Sequence, residues 1–521
     1  MSGAASALES DHRGQLEKLA RRGTASVVGA GFSAVFGVLL VVVVTNGFSP
    51  TVAGTLFAAT STFLILESVA LLGTDTGLVR VLPGHLATGR AADVRRTLVI
   101  AAVPVVALSV GAAAGLHALA PTLAPYLVGP EAPTLMSEML RALALVLPIA
   151  ALHDLVLAGT RGMGSMRPTV IVENIGRLGF QALAVLVAFL FGADALLLAL
   201  AWSLPYLAGL VASYIWLRRL VAARVPRDDD SRSWGVLVRE FWSYTAPRAV
   251  ARVTQTALKR SDIVLVAALA SPAEAALYTA ATRFVVLGQL FVQSVQQALS
   301  PQLSTLFTRG ETRAANSVFQ AATLWSMLVA WPLYLVLATW APILMGVFGE
   351  GYGVASDVVL ILALTMLLAT ACGPVDSVLL MAGHSWLSLV NSTITLAVNV
   401  GLNLILIPLQ GIRGAAIAWS VAIVVRNLLP LVQVHRHLAM WPLTTTSGRV
   451  GIGAVVCFGG PGVLGALLAL PLWLETFLLF LGVLLYATFV WAKRGALGLD
   501  AFHATIRRRS MPRAGAAPAK A

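Results

Sequence analysis

The chain has 521 residues, of which 58% are hydrophobic and only 11% charged, and its formal net charge is +13. Soluble domains are roughly a quarter charged, so this composition excludes an ordinary soluble enzyme and points to lipid as the solvent of most of the surface. A basic excess raises nucleic acid as a partner, but here the charge is placed by membrane topology, and no nucleic-acid partner is expected.

A spanning helix takes about 20 mostly apolar residues. In chain order such runs are expected at 24–46, 52–74, 97–119, 138–160, 169–191, 195–217, 275–299, 317–347, 355–381, 387–409, 412–434, 450–470 and 472–492. The first follows Arg21-Arg22 without a convincing cleavage site and reads as a signal anchor. A further segment, 241–269, carries Arg248, Arg252, Lys259, Arg260 and Asp262. Counting it gives fourteen spans; rejecting it gives thirteen, with the termini on opposite sides.

Charge placement decides between the two. With both termini cytoplasmic and fourteen spans, the inside connections hold Lys18, Arg21, Arg22, Arg90, Arg95, Arg96, Arg161, Arg167, the arginines between 218 and 239, Arg309, Arg313, Arg436, Arg449, Lys493, Arg494 and Arg507–Arg509. The outside connections hold Arg413, with Arg141 near the edge of a span. Thirteen spans would move the basic tail outside. The expected fold is therefore an all-α polytopic membrane protein of about fourteen helices in the cytoplasmic membrane, N- and C-termini inside. The Arg507–Arg509 group reads as a solvated tail near anionic membrane lipid.

An internal repeat divides the chain. Residues 49–60, SPTVAGTLFAAT, match residues 271–282, SPAEAALYTAAT, at Ser49/Ser271, Pro50/Pro272, Ala53/Ala275, Ala58/Ala280, Ala59/Ala281 and Thr60/Thr282. Six helices separate the copies, so they have the same orientation, a parallel repeat. The expected organisation is a cytoplasmic segment (1–22), a six-helix lobe (23–220), a polar linker (221–239), a second six-helix lobe (240–437), two accessory helices (438–493) and a basic cytoplasmic tail (494–521).

The seventh span carries the strongest functional signal. Thr245, Arg248, Arg252, Gln255, Lys259 and Asp262 follow alternating steps of three and four, which places them on one stripe of a helix. Cations facing lipid are costly, so the stripe is expected to line a watery cavity and bind an anionic substrate through Arg248, Arg252, Gln255 and Lys259. The alternative is that Arg248 snorkels to the interface and Lys259 or Arg260 pairs with Asp262. In the eighth span, Thr279, Thr282, Arg283, Gln293 and Gln297 fall on one side, with Gln289 at its edge. Arg283 and Gln293 are candidate substrate ligands, against helix–helix hydrogen bonding for the amide and hydroxyls.

Among acids within spans, Glu67, Asp262 and Asp376 are candidates for ion coupling or for pairing with a cation across the lobes. Asp376, beside Gly373-Pro374, also marks a helix break. Asp75 and Arg80 follow Glu67, Asp154 adjoins His153, and Glu173 and Arg177 are spaced for a salt bridge. No catalytic constellation, metal-ligand spacing or phosphate loop is present, so no enzyme, cofactor or metal is expected. Cys372 and Cys457 lie in apolar runs and read as packing residues.

Several stretches resemble the polysaccharide-transporter branch of the multidrug/oligosaccharidyl-lipid/polysaccharide exporter superfamily, the Wzx-type flippases. They are Ser49-Pro50 through Gly54 with Leu72-Gly73 and Gly77-Leu78-Val79-Arg80; Asp262-Ile263-Val264-Leu265 with Ser271-Pro272, Tyr278, Arg283 and Ser300-Pro301-Gln302-Leu303; and Gly411-Ile412-Arg413-Gly414. Ala276 departs from the glycine common in that family. The resemblance implies a two-lobed bundle that moves a lipid-linked oligosaccharide to the outer leaflet by alternating access, a cationic cavity holding its pyrophosphate or acidic sugars, and last two helices flanking a groove for the lipid tail. It implies glycan polymerase and glycosyltransferases of one pathway as partners. A lipid II flippase and a multidrug antiporter are alternatives within the superfamily. A membrane glycan polymerase or ligase and a non-transporting scaffold are alternatives of other classes.

Overall fold

The computed structural model describes residues 29–225, 231–495 and 497, and every regular element among them is a helix. The N-terminal segment with Lys18, Arg21 and Arg22, linker residues 226–230 and the tail with Arg507–Arg509 lie outside the described residues. In chain order the helices are α1 (Gly29–Gly47), α2 (Pro50–Ala70), α3 (Thr74–Ala87), α4 (Asp93–Val128), α5 (Pro133–Gly162), a π-helical stretch (Thr169–Arg177) running into α6 (Leu178–Leu190), α7 (Ala195–Ser203), α8 (Pro205–Arg224), α9 (Trp234–Leu269), α10 (Pro272–Thr308), α11 (Thr312–Thr339), α12 (Ala341–Met345), α13 (Ser356–Cys372), α14 (Val375–Met381), α15 (Ser385–Leu438), α16 (Thr445–Ala454), α17 (Gly460–Leu468) and α18 (Leu472–Ala492).

Twelve helical segments among the described residues are long and apolar enough to cross a membrane. One of them, α15, has 54 residues and a non-helical break at Gly411, so it supplies two crossings. The 36-residue α9 is long enough to cross but carries the charged stripe. With these two the count reaches the expected fourteen, and the chain is a multi-pass membrane protein. Several helices overrun the apolar runs that announced them. The 36 residues of α4 rise about 54 Å, well beyond a hydrocarbon core of roughly 30 Å.

The two repeat copies build the same helix start. Ser49 Oγ accepts from Val52 N at 3.4 Å and Ser271 Oγ from Glu274 N at 3.1 Å, each with proline at the first helical position. Serine satisfies a free amide there, and proline has none to lose. The starts also touch each other. A Cβ on Gly54 would lie 1.6 Å from the Pro272 carbonyl oxygen, so only glycine fits this crossing. The break in α15 is tied to the same region. Gly411 takes φ +56°, and the amide it frees on Ile412 donates to Glu274 Oε2 at 3.0 Å.

The chain forms two compact units. The first holds the described residues up to Leu290 with Ala341–Leu362 and Ser385–Arg426; the second holds Phe291–Trp340, Ala363–His384 and the described residues from Asn427 on. In the first, α5 packs on α2, α3, α4 and α8, and α9 packs on α2, α3 and α4. Leu71, Leu78, Leu82, Val94, Ala101 and Phe241 are buried in its core. In the second, Leu324 and Leu335 of α11 pack with Val450 and Ala454 of α16 and Tyr486 of α18. Trp331 donates to Thr370 Oγ1 at 3.0 Å, and Tyr486 to the Leu328 carbonyl at 3.1 Å. Cys372 and Cys457 are both free thiols. The helix break expected beside Asp376 is present: α13 ends at Cys372, Gly373 takes φ +71°, and α14 starts at Val375.

Candidate functional site

The polar stripe of α9 does not behave as one surface. Thr245 and Asp262 are buried, Arg248, Gln255 and Lys259 are exposed, and Arg252 lies between. Arg248 sits over the Tyr244 ring at 5.4 Å. Asp262 turns inward, where Asn403 Nδ2 donates to it at 2.7 Å and the Tyr278 hydroxyl at 3.3 Å. Neither Lys259 nor Arg260 pairs with it among the described residues; in place of the alternative ion pair, neutral hydrogen-bond donors come from α10 and α15.

Arg252 is the neutralised member of the stripe. Its guanidinium reaches Asp75 at 2.7 Å and Asp154 at 3.6 Å. Glu67, only 4% exposed, lies within electrostatic reach of both Asp154 and Arg252, and its Oε1 has no hydrogen-bond partner. The expected Glu173–Arg177 pair is formed, with Arg177 Nε donating at 2.6 Å. His153 Nε2 lies 3.0 Å from the same carboxylate oxygen, and Arg177 lies 4.3 Å over the Tyr206 ring. Four carboxyl groups, Glu67, Asp75, Asp154 and Glu173, thus share two guanidinium groups. Because Arg252 is about a third exposed, its pair with Asp75 is partly screened. A double-mutant cycle with Arg252→Ala and Asp75→Asn is expected to show a coupling of about 1 kcal/mol in the unfolding of the detergent-purified protein. Strict additivity would mean that the contact contributes nothing.

A second group of cations has no such compensation. Lys259, Arg260, Arg283 and Arg426 have no carboxylate within ion-pair distance among the described residues. Arg426, Arg260 and Arg252 are the charges acting on Lys259, and Arg260 acts on Arg283. Arg283 Nε is buried without a hydrogen-bond partner. Their depth follows from helix geometry. The end of α9, the start of α10 and the break at Gly411 lie at one level, joined by the Ala270-Ser271 turn and the Glu274–Ile412 bond. At 1.5 Å per residue, Lys259 and Arg260 lie about 15 Å below that level, Arg283 about 16 Å and Arg426 about 21 Å. Half of a hydrocarbon core is about 15 Å. The group therefore lies along these helices at a distance from that level comparable to half a hydrocarbon core.

Arg260 and Arg426 were not among the residues that sequence singled out as ligands. Arg426 carried a readable signal, being a lone cation deep in the apolar run 412–434. Arg260 lies one step off the stripe, and only its proximity to Arg283 on the next helix brings it in. Gln293 is exposed on α10 and Asp376 sits in the first turn of α14, both in the second unit.

Known proteins match at three levels. Residues 19–307 match the family described as polysaccharide biosynthesis protein, and residues 247–405 match the MatE family. The chain is 25% identical over 355 residues to the probable low-salt glycan biosynthesis flippase Agl15 of Haloferax volcanii, across 67% of this chain and 71% of that protein. Among solved structures, the fold is similar to the lipid II flippase MurJ in its inward closed conformation, with a TM-score of 0.69 and 13% identity over 90% of this chain and 99% of that one. It is also similar to an inward-facing multidrug resistance MATE family transporter of the MOP superfamily, with a TM-score of 0.65 and 15% identity over 78% of this chain and 94% of that one. The all-α polytopic fold is thus one shared with flippases and transporters.

Proposed function

We propose, from the premise that the chain belongs to the polysaccharide biosynthesis protein family, that it is a flippase moving a lipid-linked oligosaccharide across the cytoplasmic membrane by alternating access. The observation that carries this is the group Lys259, Arg260, Arg283 and Arg426, which has no carboxylate within ion-pair distance among the described residues and lies about half a hydrocarbon core along its helices from the end of α9 and the start of α10. A lone cation at the bilayer centre costs about 2.5–3.5 kcal/mol on the insertion scale, and four together persist only beside water or an anion. A polyprenyl pyrophosphate supplies such an anion, and arginine forks hold phosphate oxygens in pairs.

In this reading Arg283 and Arg260 grip the pyrophosphate, Lys259 and Arg426 add point charges, and Arg248 and Gln255 meet the glycan and its approach; Gln293, by its own amide, is a further candidate ligand. Arg252, already held by Asp75 and Asp154, contributes charge and hands it over only when those carboxylates let go. Glu67, Asp262 and Asp376 are the candidate coupling groups. The two lobes, 23–220 and 240–437, are the moving parts, both termini are cytoplasmic, and the glycosyltransferases and polymerase of the pathway are the expected neighbours. A second reading, a lipid II flippase, is favoured by the likeness to MurJ in fold.

The purified chain in liposomes containing a fluorescent polyprenyl-pyrophosphate-linked oligosaccharide is expected to equilibrate the label between leaflets. Label that stays in one leaflet would sink the flippase reading. Restored growth of a strain depleted of its lipid II flippase would favour the second reading. Drug efflux driven by an ion gradient would point to the antiporters, and glycosyl transfer by the purified protein to a polymerase or ligase.

A further inference from the structure

A cavity of about 450 Å³ lies in the first unit, between α3 with its following turn and the first turns of α9. Its walls include Arg80, Thr88, Arg90, Glu240, Ser243 and Tyr244. It is remote from the Lys259 cation group, since Tyr244 precedes Lys259 by about 22 Å of helix rise.

The two arginines are held in place. The guanidinium of Arg80 lies 3.9 Å over the Tyr244 ring, which fixes its plane and leaves its edge of N–H groups free. Arg90 follows Gly89, which takes φ +73°, and its Nε donates to Thr88 Oγ1 at 2.9 Å. Thr88 Oγ1 in turn donates to the Gly84 carbonyl at 2.8 Å. Tethered through Nε, Arg90 keeps both terminal nitrogens for another partner, and neither Arg80 nor Arg90 has a carboxylate within ion-pair distance among the described residues.

Among the described residues, the one acid on the wall is engaged elsewhere. Glu240 is bound by Arg232 at 2.6 Å, and Arg232 is bound by Asp93 at 2.7 Å. Burial opposes the Arg232 charge, but its hydrogen bonds to Asp93 and Glu240 outweigh that and hold its pKa above the ordinary arginine value. Arg96 fixes the same stretch by donating to the Arg232 carbonyl at 2.8 Å. The cavity is left with a cationic surplus. Trp234 and Trp242, on the same turns of α9, mark the level as the headgroup layer, where indole rings concentrate.

We infer that this cavity is a phosphate-ester site, in which Arg80 and Arg90 hold the anion and the Tyr244 and Ser243 hydroxyls add hydrogen bonds. At this level an anionic phospholipid headgroup supplies the phosphate; a soluble phosphate ester offers the same chemistry from the aqueous side. The inference rests on the cavity and does not depend on the transport reading.

The test is native mass spectrometry of the full-length protein titrated with phosphatidylglycerol or phosphatidylcholine, with glycerol 3-phosphate as the soluble probe. Wild type is expected to retain phosphatidylglycerol over phosphatidylcholine, and the Arg80→Gln/Arg90→Gln variant to bind it about tenfold more weakly, as loss of charge-assisted bonds predicts. Stabilisation by glycerol 3-phosphate in wild type but not the variant, without lipid selectivity, supports the site with a soluble occupant. Retention unchanged in the variant, or lowered as much by Arg95→Gln/Arg218→Gln elsewhere on the surface, overturns it. Should the glutamine variant misfold, Arg80→Lys/Arg90→Lys keeps the charge and removes the fork. Undiminished selectivity in that variant likewise overturns the inference.

Discussion

Arg260→Ala/Arg283→Ala is expected to cut translocation of a lipid-linked oligosaccharide in proteoliposomes by about a hundredfold or more while leaving the protein as stable as wild type or more stable. The two halves of this expectation have one cause. On the proposed function each guanidinium contributes a charge-assisted hydrogen bond to a bound pyrophosphate, about 1.5–3 kcal/mol, which is roughly ten- to a hundredfold per residue. Without substrate the same groups are cations within the helical bundle with no carboxylate at ion-pair distance among the described residues, and removing them relieves a burial cost. Arg283→Lys keeps the charge but loses the fork, and is expected to fall between wild type and alanine. Loss of activity that merely follows a fall in thermal stability would assign the arginines to structure. Undiminished transport would remove them from the substrate path.

Gly54→Val is expected to prevent accumulation of folded protein, and Gly54→Ala to destabilise it by about 3 kcal/mol or more, the upper end of the range for overpacking. The added Cβ would meet the Pro272 carbonyl oxygen at 1.6 Å and the Ala276 amide nitrogen at 3.1 Å. These atoms are backbone at the start of α10 and cannot swing aside as a flexible side chain does. The repeat supplies the control. Ala276 is the counterpart of Gly54 and is fully buried, so Ala276→Gly adds no atom and is expected to cost about 1 kcal/mol through helix propensity. The measurement is the apparent melting point by size-exclusion chromatography of detergent-solubilised protein. Equal melting points for wild type and Gly54→Ala would show that α2 and α10 do not cross this closely.

The same pair of positions shows how far local sequence reaches. The Ser49-Pro50 and Ser271-Pro272 repeats predicted two helix starts, and both are present with the same serine cap. That the two starts press on each other was not visible, because the residues in contact are 218 positions apart. The Ala276 departure from the family pattern falls at a buried position that accommodates a methyl group.

The charged stripe makes the same division. The three–four spacing correctly put Thr245 through Asp262 on one helix, and the Glu173–Arg177 spacing correctly announced a salt bridge. Both follow from the 3.6-residue turn. The spacing said nothing about which cations on that helix are neutralised. Arg252 is, by Asp75 on α3 and Asp154 on α5; Lys259 and Arg260 are not.

By itself, then, the sequence determined the membrane environment, about fourteen candidate crossings, two of the helix starts and the spans that carry charge, since apolar run length, caps and periodicity act within a few turns of one helix. Only the tertiary structure decided which charges are paired and which have no carboxylate partner among the described residues. Coulomb interaction and hydrogen bonding depend on distance between side chains, and those distances are set where α9 packs on α2, α3 and α4 and where α10 and α15 bring Arg283 and Arg426 toward it.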